Sequence, residues 1–345
     1  MRFGAAVYVA LFALSLGVGA QQKAPENPPV QTKRSVKIAP PRVSLSPRFS
    51  PGQVFRYEMQ FETTTATSRS GLVTDREGPS TLVVTWDATI RLEVLPADAS
   101  APGSVRLRTT YEKSTADVRS DTFEPAAAAT QEQYQKLEGK VVEFTLDASG
   151  KVISVSGLAE IVDGEKAVQA AREWIAQLDA SSGAPPGGVN VGQKWSSEQP
   201  AASLPVSGMV WRTESEYLRN EACHPPNPEG APAPPNAESS GSPKPGESCA
   251  VILTHLNLVR PKPVRNPTPE EYGKNGIQTA GKWNGSGQSL SYISLRTGLV
   301  VSVTQTGTEV MDVTLTTAQH ESLRYAGTIL SRSQVALVAD DAHGK

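Results

Sequence analysis

The side chains that could do chemistry are few, and their spacing pairs almost none of them. The chain has four histidines, His224, His255, His320 and His343, and two cysteines, Cys223 and Cys249. His320-Glu321 starts like a zinc-protease helix, yet Arg324 stands where the second metal-binding His belongs. No Gly-x-Ser-x-Gly elbow occurs, no Ser is followed three residues on by Lys, and no Gly-Lys pair precedes Ser or Thr. Gly285-Ser286-Gly287 fails the dinucleotide fingerprint, because Leu290 takes the place of the third glycine and the stretch lies between strand-like runs. Glu270-Glu271 and Asp340-Asp341 read as solvated carboxylates of a loop and a tail. General acid–base work needs two carboxylates held across a cleft, which no spacing here supplies. His255 shares a strand face with Val251, Leu253, Asn257 and Val259 and reads as a satisfied or exposed histidine. The sequence therefore names no catalytic, cofactor-binding or metal-ligating residue, and the chain reads as non-enzymatic.

Cys223 and Cys249 read as a disulfide. The segment between them holds eight prolines and a Ser/Gly-rich remainder, too little apolar surface to fold alone. A bond closing such a loop stabilises by roughly 3–4 kcal/mol in a chain-entropy treatment. The rival reading, a metal site completed by His224, lacks any paired C-x-x-C spacing.

A disulfide requires an oxidising compartment, and residues 1–20 read as a cleavable signal peptide. Arg2 supplies a thin positive start, Ala5 to Leu16 is apolar, and Val18 and Ala20 suit a peptidase that cuts after Ala20. The apolar run falls short of the roughly 20 residues that a membrane-spanning helix needs. No cysteine stands at the cleavage point for a lipid anchor, and no transmembrane segment is expected after cleavage. The expected location is periplasmic or extracellular.

With 33 basic against 35 acidic residues the formal net charge is −2, so nothing draws the whole chain to nucleic acid or to an anionic membrane. Plentiful Gly (28) and Pro (27) suit short strands and many turns. Residues 21–50 hold six prolines and a basic excess and read as a disordered tether.

The elements that would position any site read mostly as strands. Phe55, Tyr57, Met59 and Phe61 alternate with Arg56, Glu58 and Gln60; Leu82, Val84, Trp86, Ala88, Ile90, Leu92 and Val94 repeat the pattern. Shorter strands are expected at 105–111, 140–147 and 151–156, the last two joined through Asp147-Ala148-Ser149-Gly150. A helix is expected over about 163–181, capped by Asp163, with Val168, Ala171, Ile175 and Leu178 on its apolar stripe. Strands follow at 209–218, 250–259, 277–283, 289–295, 299–305 and 309–316, with weaker alternation to about 330.

Two landmarks repeat in order. Gly52-Gln53-Val54-Phe55 opens one half and Gly192-Gln193-Lys194-Trp195 the other; Gly150-Lys151-Val152-Ile153-Ser154-Val155 is matched by Gly298-Leu299-Val300-Val301-Ser302-Val303. Together with Leu137-Glu138-Gly139-Lys140 and the 147–151 hairpin, these motifs resemble an uncharacterised family of exported bacterial β-rich proteins with two similar halves. The resemblance covers about residues 51–317, and it implies a fold and no established activity.

The expected architecture is mainly β: antiparallel, strongly curved sheets in two repeated halves, residues 51–182 and 189–332, with one covering helix between them. The proline-rich insertion is expected over 224–248 and a disordered tail over 333–345. Such curved half-barrels resemble those of exported lipid and lipoprotein carriers, an analogy of fold alone. The leading functional expectation is an envelope protein that binds a lipid or other apolar ligand, with Phe55, Tyr57, Met59, Phe61, Leu82, Val84, Trp86 and Ile90 facing it. The same residues could equally fill an ordinary core. The alternative is a structural or protein-interaction module that contacts another envelope protein; an enzyme with a site assembled from distant strands is the lesser one.

Overall fold

The computed structural model describes residues 42–75, 78–96, 103–122, 125–148, 150–162, 164, 168, 184–185, 187–201, 204–223 and 246–338. The signal segment, nearly all of the helix expected over 163–181 and most of the proline-rich insertion lie outside them.

The alternating runs become strands of one sheet. In chain order these are β1 Val54–Gly71, β2 Ser80–Leu95, β3 Val105–Ser120, β4 Val141–Leu146, β5 Val152–Ser156, β6 Lys194–Pro200, β7 Val210–Ala222, β8 Ser248–Val259, β9 Gln278–Ser294, β10 Val300–Thr316 and β11 Ser322–Val338. Helix α1 spans Pro125–Gln135 and the short α2 spans Glu270–Lys274. The protein is mainly β, with a single open antiparallel sheet of order β5-β4-β3-β2-β1-β11-β10-β9-β8-β7-β6. The expected halves are thus continuous: β11 pairs with β10 on one side and with β1 on the other, joining them.

Several boundaries differ from those expected. β1 and β3 run well past their alternating cores; in β1, Thr63, Thr65 and Thr67 keep the strand geometry without apolar side chains. The paired runs at 277–283 and 289–295 are one strand, β9, so Gly285-Ser286-Gly287 lies inside a strand and not between two. Runs 299–305 and 309–316 likewise merge into β10. β11 continues through residues 333–338, which belong to the sheet and not to the tail. His320 and Glu321 fall at the β10–β11 turn, where His320 adopts φ 65°. Glu270 and Glu271 open α2, and Glu270 pairs with Lys274 at 2.8 Å.

The tether also ends earlier than expected. Val43 and Val189 exchange backbone hydrogen bonds of 2.9 Å, and Leu45, 1% exposed, packs with Val189, Tyr217, Ile252 and Ile293. Arg48 donates its amide to the Thr297 carbonyl at 2.7 Å, and Phe49 packs on the first core. The chain lies so close over the β9–β10 turn that a Cβ on Gly298, at φ +69°, would fall 2.0 Å from the Ser46 oxygen.

The two Gly-Gln landmarks build matching turns. Gln53 accepts from the Ser50 amide and Gln193 from the Asn190 amide through their side-chain oxygens, at 2.7 and 3.1 Å. Gly52 then bonds to Val94 on β2, and Gly192 to Tyr217 on β7.

The largest core lies against β1–β4. Register sets Tyr57 beside Ile90, Met59 beside Ala88 and Phe61 beside Trp86. α1 covers β3 and the flank of β2, delivering Tyr134; Leu137 follows in the turn after it, and both are fully buried. Trp86 donates from Nε1 to Ser114 Oγ at 2.9 Å, and Ser114 Oγ donates on to the Tyr134 carbonyl at 2.6 Å. The Trp86 and Tyr134 rings stand 5.7 Å apart. A bulge in β3 leaves the Ser114 amide to be met by the Glu138 carboxylate at 3.2 Å. Cys223 and Cys249 form the expected disulfide beside the β7–β8 edge, with Cα atoms 5.0 Å apart.

Candidate ligand-facing surface

Strand register divides the sheet into two chemically different faces. One carries the ion pairs: Arg56–Glu112, Arg91–Glu93, Arg108–Glu143, Arg212–Glu198 and Arg324–Asp312. Hydrogen bonds and charge from Arg108 and Arg106 hold the Glu143 carboxyl below its ordinary range, despite some desolvation. The opposite face is almost free of charge. Among the described strand residues, its only charged side chains are Glu309, midway along β10, and Arg69, at the far end of β1. Arg69 is held there by Asp75 at 2.9 Å.

The eight residues expected to face a ligand all fall on this uncharged face. Phe55, Tyr57, Met59, Val84, Trp86 and Ile90 are buried in the core, and Phe61 and Leu82 are partly buried at its margin. Burial pushes the Tyr57 hydroxyl well above its ordinary range; it donates to the Val300 carbonyl at 3.2 Å. Further along the same strands the face is half-exposed. One row across it reads Leu258, Gly285, Glu309, Ile329, Thr65, Leu82; the next reads Leu256, Gly287, Gly307, Ser331, Thr63, Val84. Glycines and hydroxyls stand between the larger apolar side chains there.

Glu309 has an unusual setting there. Trp283 on β9 donates its indole N–H to Glu309 Oε2 at 2.7 Å. A Cβ built on Gly285 would lie 2.7 Å from Trp211 Cη2 and 3.2 Å from both Glu309 Cγ and Leu258 Cβ, so these side chains converge over the glycine. Desolvation raises the Glu309 carboxyl above its ordinary range, and the Trp283 hydrogen bond only partly opposes this. No described Lys, Arg or His forms an ion pair with it. Trp211, Trp283 and Leu315 also border a small core of Val206, Met209, Leu258 and Val313.

Sequence reasoning found neither Glu309 nor its two tryptophans. Their convergence depends on the pairing of β7, β8, β9 and β10, and the one local signal was a glycine repeat at every second position, 285 and 287. Among the described residues four buried hydroxyls lack a hydrogen-bond partner, among them Thr63 Oγ1 on the same face and Tyr134 Oη in the core. His255 is exposed on the charged face. Among the described residues no cluster of three or more His, Cys, Asp or Glu could hold a metal ion, and no helix is long and apolar enough to cross a membrane.

No family model and no curated protein matches the chain. Among solved structures it is similar to a lipovitellin structure described for its lipid–protein interactions, at TM-score 0.41 and 12% identity over 86% of this chain and 26% of that one. The chain thus spans about a quarter of the length of lipovitellin. It also aligns with the outer membrane protein OprG from Pseudomonas aeruginosa, at TM-score 0.16 and 6% identity over 84% of this chain and 97% of that one. An outer membrane channel from Pseudomonas putida aligns at TM-score 0.17 and 8% identity, over 85% and 98% of the two chains. Similarities this low carry no argument about what the chain does.

Proposed function

We propose that this is an exported, non-enzymatic envelope protein that holds an apolar or amphipathic ligand against the uncharged face of its sheet. One observation carries the reading. A face spanning most of the sheet has charge almost entirely removed from it, yet beyond the core its apolar side chains (Trp211, Leu256, Trp283, Met311, Ile329 and Leu82 among them) remain half-exposed. An uncharged surface with half-exposed apolar side chains supports the reading of a place where an apolar ligand binds. The signal segment and the disulfide fit export to an oxidising compartment.

Native mass spectrometry of residues 21–345, purified gently from an envelope fraction, tests the reading. A stoichiometric extra mass that extracts into organic solvent is the expected result. The bare polypeptide mass, together with no uptake of added long-chain lipid, overturns it.

A second reading rests on the sheet edges. β5 and β6 are outermost, each hydrogen-bonded within the sheet on one side, and Ile153 on β5 is 56% exposed. A partner strand could add there, making the protein an interaction module. Binding of a partner that survives blocking of the uncharged face would favour it.

A further inference from the structure

The uncharged face poses a question of its own: why one carboxylate stands in the middle of it. An ordinary core would not keep it, since burying a carboxyl without a cationic partner costs free energy. Glu309 has one described hydrogen bond, from Trp283, which leaves a second carboxylate oxygen and most of its charge uncompensated. Trp211 reaches over Gly285, the residue opposite Glu309 on β9. A carboxylate beside two indoles suits a soft organic cation: the carboxylate supplies the charge, Trp283 spends its N–H edge on holding it, and cation–π attraction falls to the Trp211 ring. It repels anionic heads such as a phosphate or a free fatty-acid carboxylate.

We propose that Glu309, flanked by Trp211 and Trp283, receives the cationic amine or quaternary ammonium head of an amphipathic ligand whose hydrocarbon chain lies along the uncharged face. The inference rests on the proposed function and names the ligand's head group. Charge complementarity selects the head: the groups facing Glu309 are Gly285 and Trp283 from β9, Ile329 from β11, Leu258 from β8 and Trp211 from β7, none of them titratable. Register provides the track for the chain, since Ile329, Thr65 and Leu82 follow Glu309 across three successive strands, about 14 Å at ordinary strand spacing. All three are half-exposed.

Isothermal titration calorimetry of the mature protein would compare three dodecyl chains below their micelle concentrations: dodecyltrimethylammonium, dodecyl sulfate and dodecanol. The expected result is a preference of about tenfold for the ammonium over the other two, a difference within reach of one desolvated cation–π and carboxylate contact. Glu309→Gln, which keeps an oxygen for Trp283, should abolish that preference while leaving dodecanol binding intact. Trp211→Leu, which leaves Glu309 and Trp283 in place, should reduce the preference several-fold. Unchanged circular dichroism in both variants would show that each still folds. Equal binding of all three chains, or a preference that survives both substitutions, overturns the cationic head and leaves the apolar-ligand reading standing. No binding of any chain overturns both.

Discussion

The indole N–H of Trp283 on β9 points at the carboxylate of Glu309 on β10, 2.7 Å away, on the face of the sheet from which almost every other charge has been removed. Desolvation there favours the protonated acid, so Glu309 has a folded-state pKa above that of the unfolded chain. A raised carboxyl pKa means that the folded state binds more protons. The stability gained is complete below the unfolded value and is lost as pH rises through the folded one. At about neutral pH the ionised Glu309 is a cost to the fold. Glu309→Gln should therefore be more stable than the parent near neutrality, with the difference shrinking as pH falls through the carboxylate range. Urea unfolding at several pH values would check this, and a variant that is less stable at neutral pH would contradict it.

Trp86 is the centre of the first core, wholly buried and tied through Ser114 to the last turn of α1. Trp86→Ala should cost about 3–5 kcal/mol, from lost apolar burial and the cavity left behind. Trp86→Phe keeps much of the ring packing and loses the indole donor, so it should cost about 1–2 kcal/mol. Chemical denaturation followed by far-UV circular dichroism would separate the two.

Tyr134 behaves in the opposite way. Its ring packs on Trp86, but its hydroxyl is buried without a hydrogen-bond partner among the described residues, and burial pushes its pKa well above the ordinary range. An unsatisfied buried hydroxyl carries a desolvation penalty of about 1–3 kcal/mol. Tyr134→Phe removes that penalty and keeps the ring contact. Thermal unfolding should show the variant at least as stable as the parent; a clear loss would reveal a partner for the hydroxyl.

The Cys223–Cys249 bond holds the end of β7 to the start of β8 across a segment rich in proline. Glu247 extends the same junction, bonding Ser294 Oγ on β9 and the Arg296 guanidinium at 3.0 Å. Replacing both cysteines with Ser should lower stability by about 3–4 kcal/mol. Reductant should lower the melting temperature of the parent and leave that of the double variant unchanged.

Gly298 tests the strap formed by residues 42–50. A Cβ there meets the Ser46 backbone oxygen, and the turn also requires φ +69°. Gly298→Ala should loosen the strap and speed proteolysis near Leu45, while the amide protection of β1–β3 stays as in the parent. Equal proteolysis of variant and parent would show that the strap tolerates the displacement.

Much of the fold was legible wherever one face of a strand is continuously apolar. Phe55–Phe61 and Leu82–Val94 declared themselves because period-2 alternation is itself the signature of burial on one side. The same rule failed in the second half of β1, where threonines replace apolar residues, and in β9, where Gly285 to Gly287 erase the period. α1 went unread because its sequence is mostly alanine and glutamine, and among its described side chains Tyr134 alone is fully buried. The two landmark turns were legible as Gly-Gln pairs, since a positive φ and a side-chain acceptor are local requirements. Glu309 was illegible for the converse reason. In sequence it is one acid among 35, and it becomes singular only once eleven strands have been placed in register.

The seam between β1 and β11 bears on how such a molecule comes to exist. Arg56 lies opposite Val338, so the first strand to emerge must wait for the last before the middle of the sheet can be assembled. Contacts so remote in sequence form slowly, and until they form both strands present bare edges to their neighbours. A chain threaded through a membrane from its amino terminus cannot finish folding until its carboxyl terminus has cleared the channel. Until that pairing forms, the bare edges of β1 and β10 invite pairing with other chains. A nascent chain stopped short of Ser322 would arrive as two sheets with no common strand, and the cleft between them would be the first place for neighbouring copies to stick.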